Sequence, residues 1–222
     1  MYRIATIIPS NNCFNNTLAT MHSAMRQSTK PDIVVIVDGD SPDGTFIKLC
    51  KLFGHDSPAR MCEATFEGVH VIVALHEQAP IGALINAGGQ ICDPLADVFG
   101  ILLPGTQYCH DAIANVSGTM DLYPAAVAVA GDHVVDHVRH GLTIASERDH
   151  YDPYDSTIIP QNLPETMWVK RSALHTIQRF INPNAPSWHL DLYGAIALAG
   201  YIHHIPTVLT QSSVEVSTCT SV

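Results

Sequence analysis

A chain of 222 residues with 46% hydrophobic side chains can bury one substantial core, so a single domain spanning 1–222 is expected. Its formal net charge of −10, from 21 acidic and 11 basic residues, provides no concentrated basic face, which leaves nucleic acid unsupported as a partner. No window nears the roughly 20 apolar residues of a membrane helix and the start does not resemble a signal peptide, so no membrane span and a cytoplasmic location are expected.

Taken in chain order, Ile4 to Ile8 reads as a buried strand that ends in Pro9-Ser10-Asn11-Asn12. Asn15 or Asn16 is suited to cap a helix carrying Leu18, Met21 and Met25 on one face. Ile33 to Val37 is a second strand, β-branched without polar alternation and therefore buried on both faces, ending in Asp38. A short helix from Gly44 to Phe53 starts at Asp43. Residues 62–68 carry no readable pattern. Val69 to Leu75 is a third strand, and a helix over Ile81 to Cys92 is loosened by Gly88 and Gly89. Val98 to Leu103 is a fourth strand, halted at Pro104-Gly105; a helix over Asp111 to Met120 and a fifth strand over Ala125 to Ala130 follow. From Gly131 to Glu165 periodicity fades and a long loop is expected. The segment MWVKRSALHTIQRF offers a strand and a helix capped by Ser172, with Leu174, Ile177 and Phe180 on its face. WHLDLYGAIALAGYIHHIP reads as a helix from about Leu190 to Gly200 with an extended segment after it. The β-α alternation predicts a three-layer α/β/α domain with a mostly parallel central sheet. Six scattered cysteines (Cys13, Cys50, Cys62, Cys92, Cys109, Cys219) form no CxxC pair, as reduced thiols in a cytosol would. The low charged fraction, 14%, leaves surface for self-association and a homo-oligomer.

Five stretches carry a family resemblance in order: IIPSNN, VDGDSPDGT, GALINAGG, MWVKRSALHTIQRF and DLYGAIALAGYIHHIP. Together they resemble the family 2 glycosyltransferases, which have the GT-A (nucleotide-diphospho-sugar transferase-like) fold, over roughly Ile4 to Leu209. The resemblance implies a nucleotide-binding half over about 1–130 and an acceptor-side half over about 131–222. It also implies a nucleotide-diphospho-sugar donor, an acceptor it does not identify, and transfer of the sugar with inversion.

A carboxylate at a strand end can accept a hydrogen bond from a base N–H or a ribose hydroxyl, which makes Asp38 the first candidate for holding the donor. The alternative is a turn aspartate bonded to its own backbone. Pro9, Ser10 and Asn11 would line the base pocket; Asp40 falls in the same turn, where it and Asp43 also read as turn and cap residues. Asn86 would line the nucleotide pocket or brace the first loop. The family's metal-binding DxD-type acids would fall at the end of the fourth strand, but this chain reads ILLPGTQY there. Asp97 and Asp111 are the nearest acids, and Asp97 is at the wrong end of the strand. No metal ligand is therefore assigned, although the family's divalent Mg or Mn stays open as a cofactor. Lys170 and Arg171, or backbone N–H groups near Gly105, would offset the diphosphate in a metal-independent transfer.

Inversion needs a base to take the acceptor's proton. By the resemblance it falls just before the closing helix, where Asp191 and His189 are the catalytic candidates and Trp188 is a platform or a packing residue. As a helix-start acid, Asp191 has a purely structural reading too. His133, His137 and His140 would share a face with Asp132 or Asp136 if their segment were helical, giving a metal site. Tyr151, Asp152, Tyr154 and Asp155 form an aromatic and acidic patch suited to sugars. Two further readings stand beside transfer: a catalytically inactive nucleotide- or glycan-binding module of the same fold, and a nucleotidyltransferase on a related sheet.

Overall fold

The computed structural model describes residues 2–139, 142–149, 166–176 and 188–215. Strand β1 (Ile4–Ser10) shows why the chain folds in layers: all seven of its residues are buried. Ile4 and Ile8 pack to one side of the sheet, Ala5 and Ile7 to the other. The next strand, β2 (Ile33–Asp38), divides in the same way, with Val34 and Ile36 on the first side and Ile33, Val35 and Val37 on the second. A strand apolar on both faces needs a helix over each.

The first side is covered by α1 (Phe14–Met25), α2 (Thr45–Leu52) and α4 (Ala112–Leu122), through Met21, Phe46, Leu49, Ile113 and Val116. The second is covered by α3 (Ile81–Cys92), α5 (Arg171–Thr176) and α6 (Trp188–Ala199), through Leu84, Ile85, Leu174, Leu192 and Ile196. The remaining strands are β3 (Met61–Phe66), β4 (Val69–Leu75), β5 (Val98–Ile101), β6 (Thr106–Tyr108), β7 (Ala128–Arg139), β8 (Leu142–Asp149), β9 (Met167–Lys170) and β10 (Ile202–Glu215). One sheet runs β3-β4-β2-β1-β5-β9-β7-β10-β6, with β8 paired to β7. The centre of the first half, β4-β2-β1-β5, is parallel. Antiparallel β9 joins β5 to β7, which pairs in parallel with β10. Strands β1, β2, β4, β5 and β7 therefore all end at one edge.

Several elements differ from the sequence reading. Helix α1 begins at Phe14, with Cys13 before it and no side-chain cap, so neither Asn15 nor Asn16 caps it. The unreadable stretch forms β3, an antiparallel edge strand that is mostly exposed and so carries little apolar periodicity. Gly88 does not loosen α3. A Cβ there would stand 2.5 Å from Ile7 Cγ2, so the glycine lets the helix rest on β1. The expected loop after Gly131 begins as a hairpin instead: β7 runs on to Arg139 and β8 returns antiparallel from Leu142. Helix α5 starts at Arg171, ahead of Ser172. Ile177, Phe180 and the patch at 151–155 lie outside the described residues.

Candidate functional site where the parallel strands end

Register places Ser10 directly beside Asp38, the last residues of β1 and β2. The loops behind them are sewn together. Ser41 donates its backbone N–H to Asp38 Oδ2 at 3.0 Å and its hydroxyl to Oδ1 at 2.6 Å. The same hydroxyl accepts the Asn12 N–H at 2.7 Å, while Asp43 takes the Phe14 N–H at 3.2 Å and both Thr45 donors. Asn12 and Asp40 both have positive φ, 53° and 54°, the conformation that lets each chain turn sharply over the edge.

Asp38 is 0% exposed, and burial raises its pKa against the two Ser41 bonds that lower it. In this conformation it ties the loops together, the turn role foreseen for it, with carboxylate lone pairs left over. Ser10 is equally buried, and its hydroxyl meets Thr17 Oγ1 at 2.8 Å under the edge rather than facing outward. Pro9 is buried within β1, while Asn11 and Asp40 are exposed at the rim. The first turns of α3 sit beneath the same rim, since a Cβ on Gly39 would lie 3.2 Å from Leu84 Cδ1; Asn86 follows two residues on and is half-buried.

The turn after β5 forms the next part of the rim. Gly105 adopts φ +101°, which favours glycine. Thr20 of α1 holds this turn, donating to the Thr106 carbonyl at 2.8 Å and accepting the Gly105 N–H at 3.0 Å. A divalent cation does not fit here. The turn has no carboxylate, and no cluster of three His, Cys, Asp or Glu among the described residues could hold a metal.

Lys170 and Arg171 are not at this rim. Because β9 is antiparallel to β5, Lys170 pairs with Val98, and the Arg171 N–H donates to the Asp97 carbonyl at 2.8 Å. They occupy the opposite edge, about 16 Å away from Leu103 along the strand. Asp97 lies there too, accepting the Arg3 N–H at 3.0 Å.

Helix α6 ends against the start of β7, where a Cβ on Gly200 would lie 2.6 Å from Val127 Cγ1. It packs on the sheet through Leu192 and Ile196. His189 is half-buried, its ring 5.9 Å from Trp188 and nearly perpendicular to it; Asp191 is exposed in the first turn.

His133 and His137 are on strand β7, which removes the helical face that would have gathered them, and His140 lies outside the described residues. Strand pairing instead creates a contact unseen in the sequence. Gly100 and Val129 both pair with Trp168, so counting onward puts Asp132 level with Leu103. Asp132, 0% exposed, meets His204 Nε2 at 2.9 Å across β10. Asp132 follows the alternation of Ala128 and Ala130, which face the α6 layer. His133, on the other face, joins Thr210 and Ser212 at 2.8 and 2.9 Å.

No family model matches the chain, and no curated protein matches it by sequence. Solved structures do match in three dimensions. The 1–349 fragment of S. aureus TarS in complex with UDP aligns with a TM-score of 0.67 at 12% identity, covering 96% of this chain and 60% of that one. Mannosyltransferase PcManGT from Pyrobaculum calidifontis, in complex with GDP-Man and Mn2+, gives 0.67 at 16% identity, covering 99% and 58%. GalNAc-T7 with UDP, GalNAc and Mn2+ gives 0.69 at 11% identity, covering 96% and 44%. The chain therefore spans 60% or less of the length of these three structures. The fold is that of the GT-A glycosyltransferases.

Proposed function

We propose that the rim formed by β1, β2 and β5 takes a nucleotide-sugar and that the chain transfers the sugar with inversion, without a metal ion held by the turn after β5. The observation that carries this reading is the pairing of Ser10 with Asp38, with the two following loops locked by Ser41. Strand ends at such an edge are where open α/β sheets receive ligands. Asn11 and Asp40 would meet the nucleoside from the rim, and Asp38 would hold the loops that carry them and accept a ligand N–H or hydroxyl as the loops adjust. Pro9, Ser10 and Asn86 would shape the pocket from behind. The division into a nucleotide half up to about residue 130 and an acceptor half beyond it belongs to this reading, as does the likeness to family 2. A reducing cytoplasm suits the free thiols Cys13, Cys50, Cys62, Cys92 and Cys109.

At the start of α6, Asp191 or His189 would take the acceptor hydroxyl's proton as that oxygen attacks the anomeric carbon and the nucleoside diphosphate leaves. His204, oriented by buried Asp132 on the same side of the sheet, is a third group suited to that proton. The Gly105 N–H, expected to offset the diphosphate, is instead donated to Thr20 Oγ1, and the Thr106 N–H goes to the Leu103 carbonyl.

One observation favours the binding module as a second reading: the turn after β5 has no acid, and the bases expected to replace a metal lie at the other edge. Donor hydrolysis separates the two. The transferase reading expects slow release of sugar from UDP- or GDP-sugars, indifferent to Mn2+ and reduced in Asp191→Asn, His189→Gln or His204→Gln. Donor binding with no turnover in the parent chain would instead establish the module.

A further inference from the structure

We propose that the opposite edge of the sheet carries a second ligand site, for a small anion bearing a phosphate or carboxylate group. A cavity of about 480 Å³ opens there, lined by Tyr2, Asp97, Lys170, Arg171, Ser172 and His175. That volume is in the range of small-molecule sites. The charge balance of its wall is what points to an anion.

Lys170 is 9% exposed, and a buried cation normally has an anionic partner. Its ammonium donates to the Pro124 carbonyl at 2.7 Å and lies 5.2 Å from the centroid of the Tyr2 ring. No carboxylate among the described residues forms an ion pair with it. Arg171 is already matched, reaching Asp97 at 3.4 Å and the Asp93 carbonyl at 2.8 Å, and the His175 ring is hydrogen-bonded to Asp93 at 2.6 Å. Asp97 also lines the cavity, but both its oxygens are engaged, one by Arg171 and one by the Arg3 N–H at 3.0 Å. Two cations, Lys170 and Arg171, and one carboxylate, Asp97, line the cavity, so one positive charge is left over, on a group with three donors of which one is used. A small anion completes it, with the Ser172 hydroxyl as a further donor and the Tyr2 ring as a wall for whatever carries the anion.

This site is separated from the nucleotide rim by the length of β5, so it stands or falls apart from the proposed donor site. The test is calorimetric titration of the whole chain with inorganic phosphate and with acetate, at ionic strength held by chloride. The two anions distinguish a phosphate site from a carboxylate site. Binding of at least one is expected, weakened roughly tenfold or more in Lys170→Met. It should be unchanged in Arg26→Gln, which removes the same charge elsewhere, and in Asp38→Asn. Should Lys170→Met fail to fold, the Tyr2 ring resonances of the parent chain report directly, and they should shift with the binding anion and not with chloride. Absence of binding by both anions, equal affinity in Lys170→Met, loss of binding in Asp38→Asn, or an unmoved Tyr2 ring would each overturn the proposal.

Discussion

The hydroxyl of Ser41 stands 2.6 Å from Asp38 Oδ1 while accepting the Asn12 N–H at 2.7 Å, so one side chain joins the end of β2 to the loop after β1. Replacing Ser41 by Ala removes both bonds and leaves a buried carboxylate oxygen and a backbone N–H short of partners. A loss of about 1–3 kcal/mol is expected for such unsatisfied groups. Urea denaturation of Ser41→Ala against the parent chain measures it.

Burial raises the pKa of Asp38 above 3.8, and this fixes a pH dependence. The native state holds the proton more tightly than the unfolded chain, so stability falls as pH rises from about 3.8 through the raised native value and is level above it. In Asp38→Asn this contribution is absent. The stability of the parent chain relative to Asp38→Asn should therefore decline with rising pH across that window, as thermal melts of both at a series of pH values would record.

His203 gives a change of the opposite sign. Burial and the neighbouring His204 lower its pKa below 6.5, and its ring stacks on Tyr123 at 3.8 Å. Its contribution is complete above 6.5 and is lost as pH falls through the lowered value. His203→Phe, which keeps a ring in the stack, should flatten that acid limb of the melting profile.

Gly88→Ala would put a methyl group 2.5 Å from Ile7 Cγ2 and 3.3 Å from Val37 Cγ2. Helix α3 would have to lift from β1 and β2, at a cost of about 1–3 kcal/mol typical of an overfilled core. Equilibrium unfolding should show this loss despite alanine's better helix propensity.

The parts of the fold open to sequence reading are those whose burial is locally encoded. Strands β1 and β2 are apolar on both faces and end in small polar residues, so position and role could be read together. Strand β3 could not: as an edge strand it buries only Cys62 fully, too little to leave a readable apolar pattern. Strand direction was equally hidden. Lys170 was expected near the diphosphate because its segment follows the family's order, but antiparallel pairing of β9 carries it to the other end of β5. The Asp132–His204 contact joins residues 72 positions apart and exists only through the pairing of β7 with β10. At the rim the residue types were legible, whereas their orientation was not: Ser10 turns under the edge to Thr17, and Asp38 spends two of its acceptor positions on Ser41.

The most direct test of the central claim is calorimetric titration of UDP- and GDP-sugars into the parent chain and into Asp38→Ala. Saturable binding of at least one donor, weakened roughly tenfold or more by the substitution, is the predicted result for loss of a buried charged hydrogen-bonding group at the site. No heat with any donor, or equal affinity in folded Asp38→Ala, would contradict a nucleotide site where β1 and β2 end.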